Sequence, residues 1–371
     1  MRVLILTASY GSGHNEAAHS LAAGFVARGA AVTVVDHFRE LVHPVFERFS
    51  RGLYMTLLRR APLVWGAAYA LGDWLSSDSP LAFGATRLGL GRLARLLDAL
   101  APDAVVSVHA TPAAAMSALA AEGRRLPPHT TVVTDFVAHS QWIARGIDHY
   151  CVAADEVGHE FVARGIPRER VVVTGVPLRR EFESAVDPTA ARGALGLRAE
   201  APVVLVMAGS HASVGRVPDV MRTLARLRGP VQGLVVAGRD AALAERLSAL
   251  ARGSPVRVLG YVADVRGLMA ASDLLVTKAG GMTLAEAMAA ELPMLLYGSV
   301  PGQERRNERF ASRAGVALAA RSAGELERLL DRALTEPGLL EHLRDGIRRA
   351  RRPDATQRIA DTVLAPRRLR S

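Results

Sequence analysis

Short runs of valine, isoleucine and leucine alternate along the whole chain with longer stretches rich in alanine, leucine and arginine. Apolar runs of a few residues bounded by turn signals mark strands buried on both faces, and the helical stretches between them mark the crossovers of a parallel sheet. This rhythm predicts strands at 3–7, 32–35, 104–108, 131–134, 150–152 and 171–174 in the first half. In the second half it predicts strands at 203–207, 233–237, 256–259, 274–277, 294–297 and 316–318. The 371 residues exceed one ordinary core, so the pattern reads as an α/β chain of two doubly wound domains.

Gly175-Val176-Pro177 interrupts the period and Asp187-Pro188 opens a new helical segment, which puts the boundary near residues 176 to 190. Residues 1–180 then form the first domain and 181–352 the second. Residues 353–371 form a basic helix and tail that has no strand to follow and crosses back onto the first domain.

One segment breaks the rhythm. Residues 46–74 carry Phe46, Phe49, Leu53, Tyr54, Leu57, Leu58, Val64, Trp65, Tyr69 and Trp74 among Arg48, Arg51, Arg59 and Arg60. Aromatic, apolar and cationic residues mixed in this way suit an amphipathic segment in a membrane interface. Helices packed on the first domain are the competing reading, because Pro62 divides the stretch. Two of the chain's three tryptophans fall here, which favours the lipid-facing reading.

Charge sharpens that picture. The net charge is +10, with much of the excess at Arg344, Arg349, Arg351, Arg352, Arg367, Arg368 and Arg370. Such a tail is drawn to an anionic surface or is simply a solvated helix face. Without interleaved aromatics or a nucleic-acid fold signature it speaks against nucleic acid. No run of about 18 uncharged apolar residues occurs. The expectation is therefore a cytoplasmic protein, peripherally associated with the inner face of the cell membrane.

Cys151 is the only cysteine, which excludes an intrachain disulfide framework and a thiolate-rich metal site. Lys278 is the only lysine among 46 basic residues. Where arginine serves every generic purpose, a retained lysine points to a geometry that a planar guanidinium does not fit.

The candidate chemistry lies at strand ends. After the first strand comes Thr7-Ala8-Ser9-Tyr10-Gly11-Ser12-Gly13-His14 and a helix near Asn15. Glycines there let a ligand approach the backbone, and helix-start amides favour negative charge. Asp36 ends the second strand, so this loop alone leaves a dinucleotide fold open. His14 stands at the carboxyl edge of the sheet, where neutral imidazole takes a proton from an attacking hydroxyl near pH 7, or merely caps the helix.

In the second half, Thr277-Lys278-Ala279-Gly280-Gly281 joins a strand to a helix that carries Thr283 and Glu286. Glycine amides and a threonine hydroxyl suit a diphosphate, and a carboxylate accepts two hydrogen bonds from a ribose. Pro301-Gly302-Gln303-Glu304 with Asn307 supplies the amides and carboxylate that sugar hydroxyls require. The chain's only two asparagines, Asn15 and Asn307, both fall in these loops.

These motifs, with Thr134-Asp135-Phe136, His139, Trp142 and Gly175-Val176-Pro177 followed by Arg179, resemble the monogalactosyldiacylglycerol synthase and processive diacylglycerol glucosyltransferase family. That family is a branch of the two-Rossmann-domain (GT-B type) glycosyltransferases, which also contains the peptidoglycan N-acetylglucosaminyltransferase. The resemblance implies an interdomain cleft and a UDP-hexose in the second domain, as substrate rather than resident cofactor. Glu286 would then hold the ribose and the Gly280 and Gly281 region the diphosphate, with Lys278 and Thr283 also at the donor. Gln303, Glu304 and Asn307 would meet the hexose, and Tyr261 and Val262 the uracil.

It further implies an inverting transfer without a catalytic metal to a membrane lipid, diacylglycerol or a glycosyl-diacylglycerol. His14 or Asp135 would be the base, with Gly13 and Arg179 near the donor. Tyr54, Trp65, Tyr69, Trp74, His139 and Trp142 would face acceptor and membrane. Two departures stand out. Gly209-Ser210-His211 occupies the place of a glycine cluster facing the phosphates, and Ala144 the place of a histidine. A UDP-sugar 2-epimerase of the same fold and a non-catalytic UDP-sugar sensor are the alternatives.

Overall fold

The structure, a computed structural model, describes residues 1–9, 12–74, 88–207, 216–227 and 230–365. The chain divides into two compact units, Met1–Arg180 with the chain from Arg352 onward, and Glu181–Arg351. The first holds β1 (Arg2–Thr7), β2 (Ala31–Asp36), β3 (Ala104–Ser107), β4 (His129–Val132), β5 (His149–Val152) and β6 (Val171–Val173), in the order β2-β1-β3-β4-β5-β6. The second holds β7 (Val203–Met207), β8 (Gln232–Val236), β9 (Val256–Leu259), β10 (Leu274–Thr277), β11 (Met294–Tyr297) and β12 (Ala317–Ala320), in the order β12-β11-β10-β7-β8-β9. Every neighbouring pair is parallel.

Burial on both faces explains the unbroken apolar runs. In β1, Val3 and Ile5 pack with Ala18, Leu21 and Phe25 on one side. Leu4 and Leu6 pack with Leu93, Leu97 and Met116 on the other. The period of two along the strand therefore separates two apolar layers instead of an apolar and a polar one.

β4 begins two residues earlier than the apolar pattern places it, because it starts with the polar His129-Thr130-Thr131, all buried. The strand tolerates His129 because its Nε2 hydrogen-bonds Ser107 Oγ at 2.8 Å. Burial pushes this imidazole down to about 4, so it stays neutral. The shift carries Thr134 and Asp135 beyond the strand end and into the loop at the sheet edge.

The last helix, Ala355–Leu364, returns to the first unit: Ile359, Ala360 and Val363 join the core built on Val3 and Ile5. Arg28 pairs with Asp361 at 3.0 Å, and Thr356 Oγ1 donates to the Leu178 carbonyl at 3.2 Å. The expected basic tail is largely neutralised where the structure describes it. Arg344 pairs with Glu341, Arg348 with Glu291, Glu341 and Asp345, Arg351 with Glu291, and Arg352 with Asp155. Arg367, Arg368 and Arg370 lie outside the described residues.

The irregular segment forms two helices, Pro44–Arg60 and Pro62–Trp74. Tyr54 and Trp65 meet edge to face, centroids 4.9 Å apart, while Phe49 (71 %) and Leu63 (80 %) head a set of exposed apolar side chains with Val45, Leu53, Val64 and Leu71. The segment thus packs on itself and displays an apolar face. Among the described residues no helix is long and apolar enough to cross a membrane.

Gly175 lies where the returning chain passes. Its φ is +90°, and a Cβ there would stand 2.8 Å from Arg352 Cβ and 2.9 Å from the Arg352 carbonyl oxygen. Gly175→Ala is expected to destabilise the fold by roughly 2–4 kcal/mol, the sum of a left-handed backbone and an overpacked contact. A lowered urea midpoint checks this, and an unchanged midpoint contradicts it.

Candidate active site

Ligands of doubly wound sheets gather where neighbouring strands send their crossovers to opposite faces, outside the carboxyl ends. In the first sheet that point lies between β1 and β3. The Ser12–Val26 helix starts there with no acid in its first turn, so its amides and dipole remain available to a negative group. Gly13 and His14 occupy this start, half-buried.

A chain of hydrogen bonds holds the loop. Thr7 Oγ1 donates to Asn15 Oδ1 at 2.9 Å, and Asn15 Nδ2 donates to Ser9 Oγ at 2.9 Å. Ser9 Oγ donates to one oxygen of Asp36, and the other accepts the Arg39 amide at 2.9 Å. The carboxylate that a dinucleotide fold would spend on a ribose is thus committed to the protein's own backbone and loop. Asn15 braces the loop.

His14 donates Nδ1–H to the Val108 carbonyl at 2.8 Å, with Thr134 Oγ1 3.2 Å from the same nitrogen. This fixes the neutral tautomer whose lone pair is on Nε2. Desolvation lowers the His14 pKa, against the opposing pull of the Asp135 carboxylate and the Val108 carbonyl. Asp135, half-buried, therefore faces the imidazole electrostatically. Arg179 brings its Nε within 3.9 Å of Glu16 on the His14 helix.

The sequence reading missed His109. It follows β3 as His14 follows β1, and the two rings meet edge to face with centroids 4.7 Å apart. Its position directly after a strand was the available signal, but the same position is a helix cap. Its Nδ1 indeed accepts the Thr111 amide at 3.1 Å.

Trp142 lies 6.3 Å from His14 and 6.5 Å from His109, ring to ring. Trp142 and His139 are both buried at this edge. His139 Nε2–H donates to the Tyr69 carbonyl at 3.2 Å, and the rings stand 4.2 Å apart. The Ser140 amide donates to Asp73 at 2.8 Å. The turn of residues 139–142 therefore ties the Pro62–Trp74 helix to the neighbourhood of His14. The Trp74 side chain lies outside the described residues.

In the second sheet the switch point lies between β7 and β10. Gly209, Ser210 and His211, after β7, lie outside the described residues. After β10 comes Lys278, then the Gly281–Ala289 helix, capped by Gly280 and with no acid in its first turn. Thr283 is half-buried and Glu286 buried on this helix.

The neighbouring loop is laced to it. Lys278 Nζ pairs with Glu304, whose second oxygen accepts the Val300 amide at 3.0 Å. The Ala279 amide donates to Ser299 Oγ at 3.2 Å, and Asn307 Nδ2 donates to the Ala279 carbonyl at 3.1 Å. Gly302 turns with φ +102° to start the Gln303–Arg313 helix, a conformation closed to other residues. Asn307 has no exposed surface. Its amide therefore braces the loop through the Ala279 carbonyl.

Gln303 is half-buried at the helix start, and Val262 is half-buried near the end of β9. Tyr261 is exposed, with the Arg239 guanidinium 4.0 Å over its ring. Among the described residues no group of three or more His, Cys, Asp or Glu side chains is placed to hold a metal ion. One edge thus presents a neutral imidazole beside a carboxylate. The other presents an ammonium, helix-start amides and a buried carboxylate.

Two parallel six-stranded sheets with chemistry at both carboxyl edges define the GT-B glycosyltransferase architecture. Acinetobacter baumannii MurG matches 98 % of this chain and 98 % of its own at a TM-score of 0.69 and 18 % identity. A UDP-GlcNAc 2-epimerase from Neisseria meningitidis, bound to UDP-GlcNAc, covers 99 % and 100 % at a TM-score of 0.59 and 13 % identity. The fold alone therefore does not separate transferase from epimerase.

Sequence does. Residues 14–178 match the monogalactosyldiacylglycerol synthase family, and 194–352 match the glycosyl transferases group 1. The chain belongs to the processive diacylglycerol glucosyltransferase family. It is 32 % identical over 367 residues to the processive diacylglycerol beta-glucosyltransferase of Bacillus cereus, covering 98 % of this chain and 93 % of the relative.

Asn307→Ala removes the amide that faces a fully buried carbonyl. It is expected to destabilise the second unit by about 1–3 kcal/mol, seen as a lower urea midpoint. An unchanged midpoint would show that Asn307 does not brace the loop.

Proposed function

We propose that the protein transfers a hexose from a UDP-sugar to the hydroxyl of a membrane lipid, diacylglycerol or a glycosyl-diacylglycerol, with inversion at the anomeric carbon. His14 carries this reading: a neutral imidazole, its tautomer set by Val108, stands beside Asp135 at the switch point of the first sheet. The hydroxyl proton passes to His14 Nε2 as the oxygen bonds the anomeric carbon. The bond from that carbon to the diphosphate breaks, and its electron pair leaves with UDP.

Charge on the departing diphosphate is met by Lys278 and the amides at the start of the Gly281–Ala289 helix. Glu286 accepts the ribose hydroxyls. A single displacement on an α-linked donor yields a β product, as the names of the relatives state for those proteins.

The lipid acceptor is supported by those relatives and by the apolar face of Val45, Phe49, Leu53, Leu63, Val64 and Leu71. Exposed Arg48 and Arg60 lie on the same helix as Phe49 and Leu53, a mixture suited to the anionic surface of the inner leaflet.

The test supplies separate UDP-hexoses and vesicles containing diacylglycerol, and identifies glycolipid by mass spectrometry. Hexosyl-diacylglycerol is expected from the wild type, with turnover about 10²-fold lower or worse in His14→Ala. His14 acts only when neutral and its pKa is lowered, so the acid limb of kcat/KM is expected below pH 6.5. Full activity of His14→Ala would remove it as the base.

A further inference from the structure

Two imidazoles stand at the first switch point, and their hydrogen bonds fix opposite tautomers. His14 uses Nδ1–H on the Val108 carbonyl at 2.8 Å, which leaves its lone pair on Nε2. His109 receives the Thr111 amide on Nδ1 at 3.1 Å, which leaves its proton on Nε2. The rings are 4.7 Å apart, centroid to centroid, and Trp142 packs beside both. Val108, which fixes the first tautomer, is the chain neighbour of His109 and is itself held by its amide on the Leu6 carbonyl at 3.0 Å.

A hydroxyl is both donor and acceptor, so a lone pair and an N–H together can define its orientation. Removing the proton alone leaves the oxygen free to rotate away from the anomeric carbon. A second contact, to one of its lone pairs, aims the remaining one.

We infer that His109 is the acceptor-orienting residue of this transferase: its Nε2–H holds the attacking hydroxyl oxygen while His14 Nε2 takes the hydroxyl proton. The inference rests on the reading of His14 as the base. Burial and the neighbouring imidazoles of His14 and His37 keep the His109 pKa well below 6.5. The ring is therefore held neutral, and with Nδ1 on the Thr111 amide its Nε2 carries the N–H.

A helix cap would need only Nδ1, so two substitutions separate cap from donor. His109→Asn keeps a strong N-cap acceptor but is too short to replace Nε2–H. His109→Gln carries an amide N–H at about the reach of Nε2 and caps poorly.

With UDP-hexose and diacylglycerol vesicles, His109→Asn is expected to lower kcat/KM for the acceptor about tenfold or more, while its Tm and its affinity for UDP stay at wild-type values. His109→Gln is expected to recover activity above His109→Asn despite a lower Tm. Wild-type kcat/KM in His109→Asn, or His109→Gln less active than His109→Asn, would overturn the role of His109. His14→Ala separates the two failures. An active His14→Ala defeats the base itself, whereas an inactive His14→Ala beside a fully active His109→Asn defeats only the orienting role.

Discussion

A strand buried on both faces carries chemistry only at its end. Val3 to Leu6 of β1 alternate between two apolar layers, and a polar side chain in either layer would need a partner within it. His129 shows how a polar ring is held there, since it sits in β4 with its Nε2 on Ser107. All groups meant to meet a substrate are therefore driven to the carboxyl edges. Both switch points fall where a helix begins without an acid in its first turn.

That constraint makes loop rigidity the next problem, because an edge loop has no ladder to hold it. Side chains bonded to backbone or to one another supply the stiffness. Asn15 and Ser9 link Thr7 to Asp36 across the first loop, and Asn307, Ser299 and Glu304 fasten residues 278–280 to 298–304. The two asparagines of an asparagine-poor chain are thus braces. Lys278 fits the same logic: its ammonium pairs with Glu304 at the strand end.

Both sheets were legible because parallel strands buried on two faces write themselves as apolar runs. β4 slipped by two residues because its own start is polar and buried, a choice set by Ser107 on the neighbouring strand. His14, Lys278 and Glu304 were legible because glycines and a sole lysine flag their loops. His109 was not, since a histidine between strand and helix reads as a cap, and only the 4.7 Å approach of His14 gives it a second meaning. The arginines near residue 350 looked like a free cationic tail because their partners, Glu291 and Asp155, lie far away in sequence.

The central claim is that the edge carrying Lys278, Gly280, Gly281 and Glu286 holds a uridine diphosphate hexose. Isothermal calorimetry of UDP and UDP-glucose into the full chain measures this directly. Saturable binding is expected, weakened about tenfold or more by Glu286→Ala through loss of the ribose contact. No binding heat at any concentration up to millimolar, or a Glu286→Ala isotherm identical to the wild type, would contradict the account.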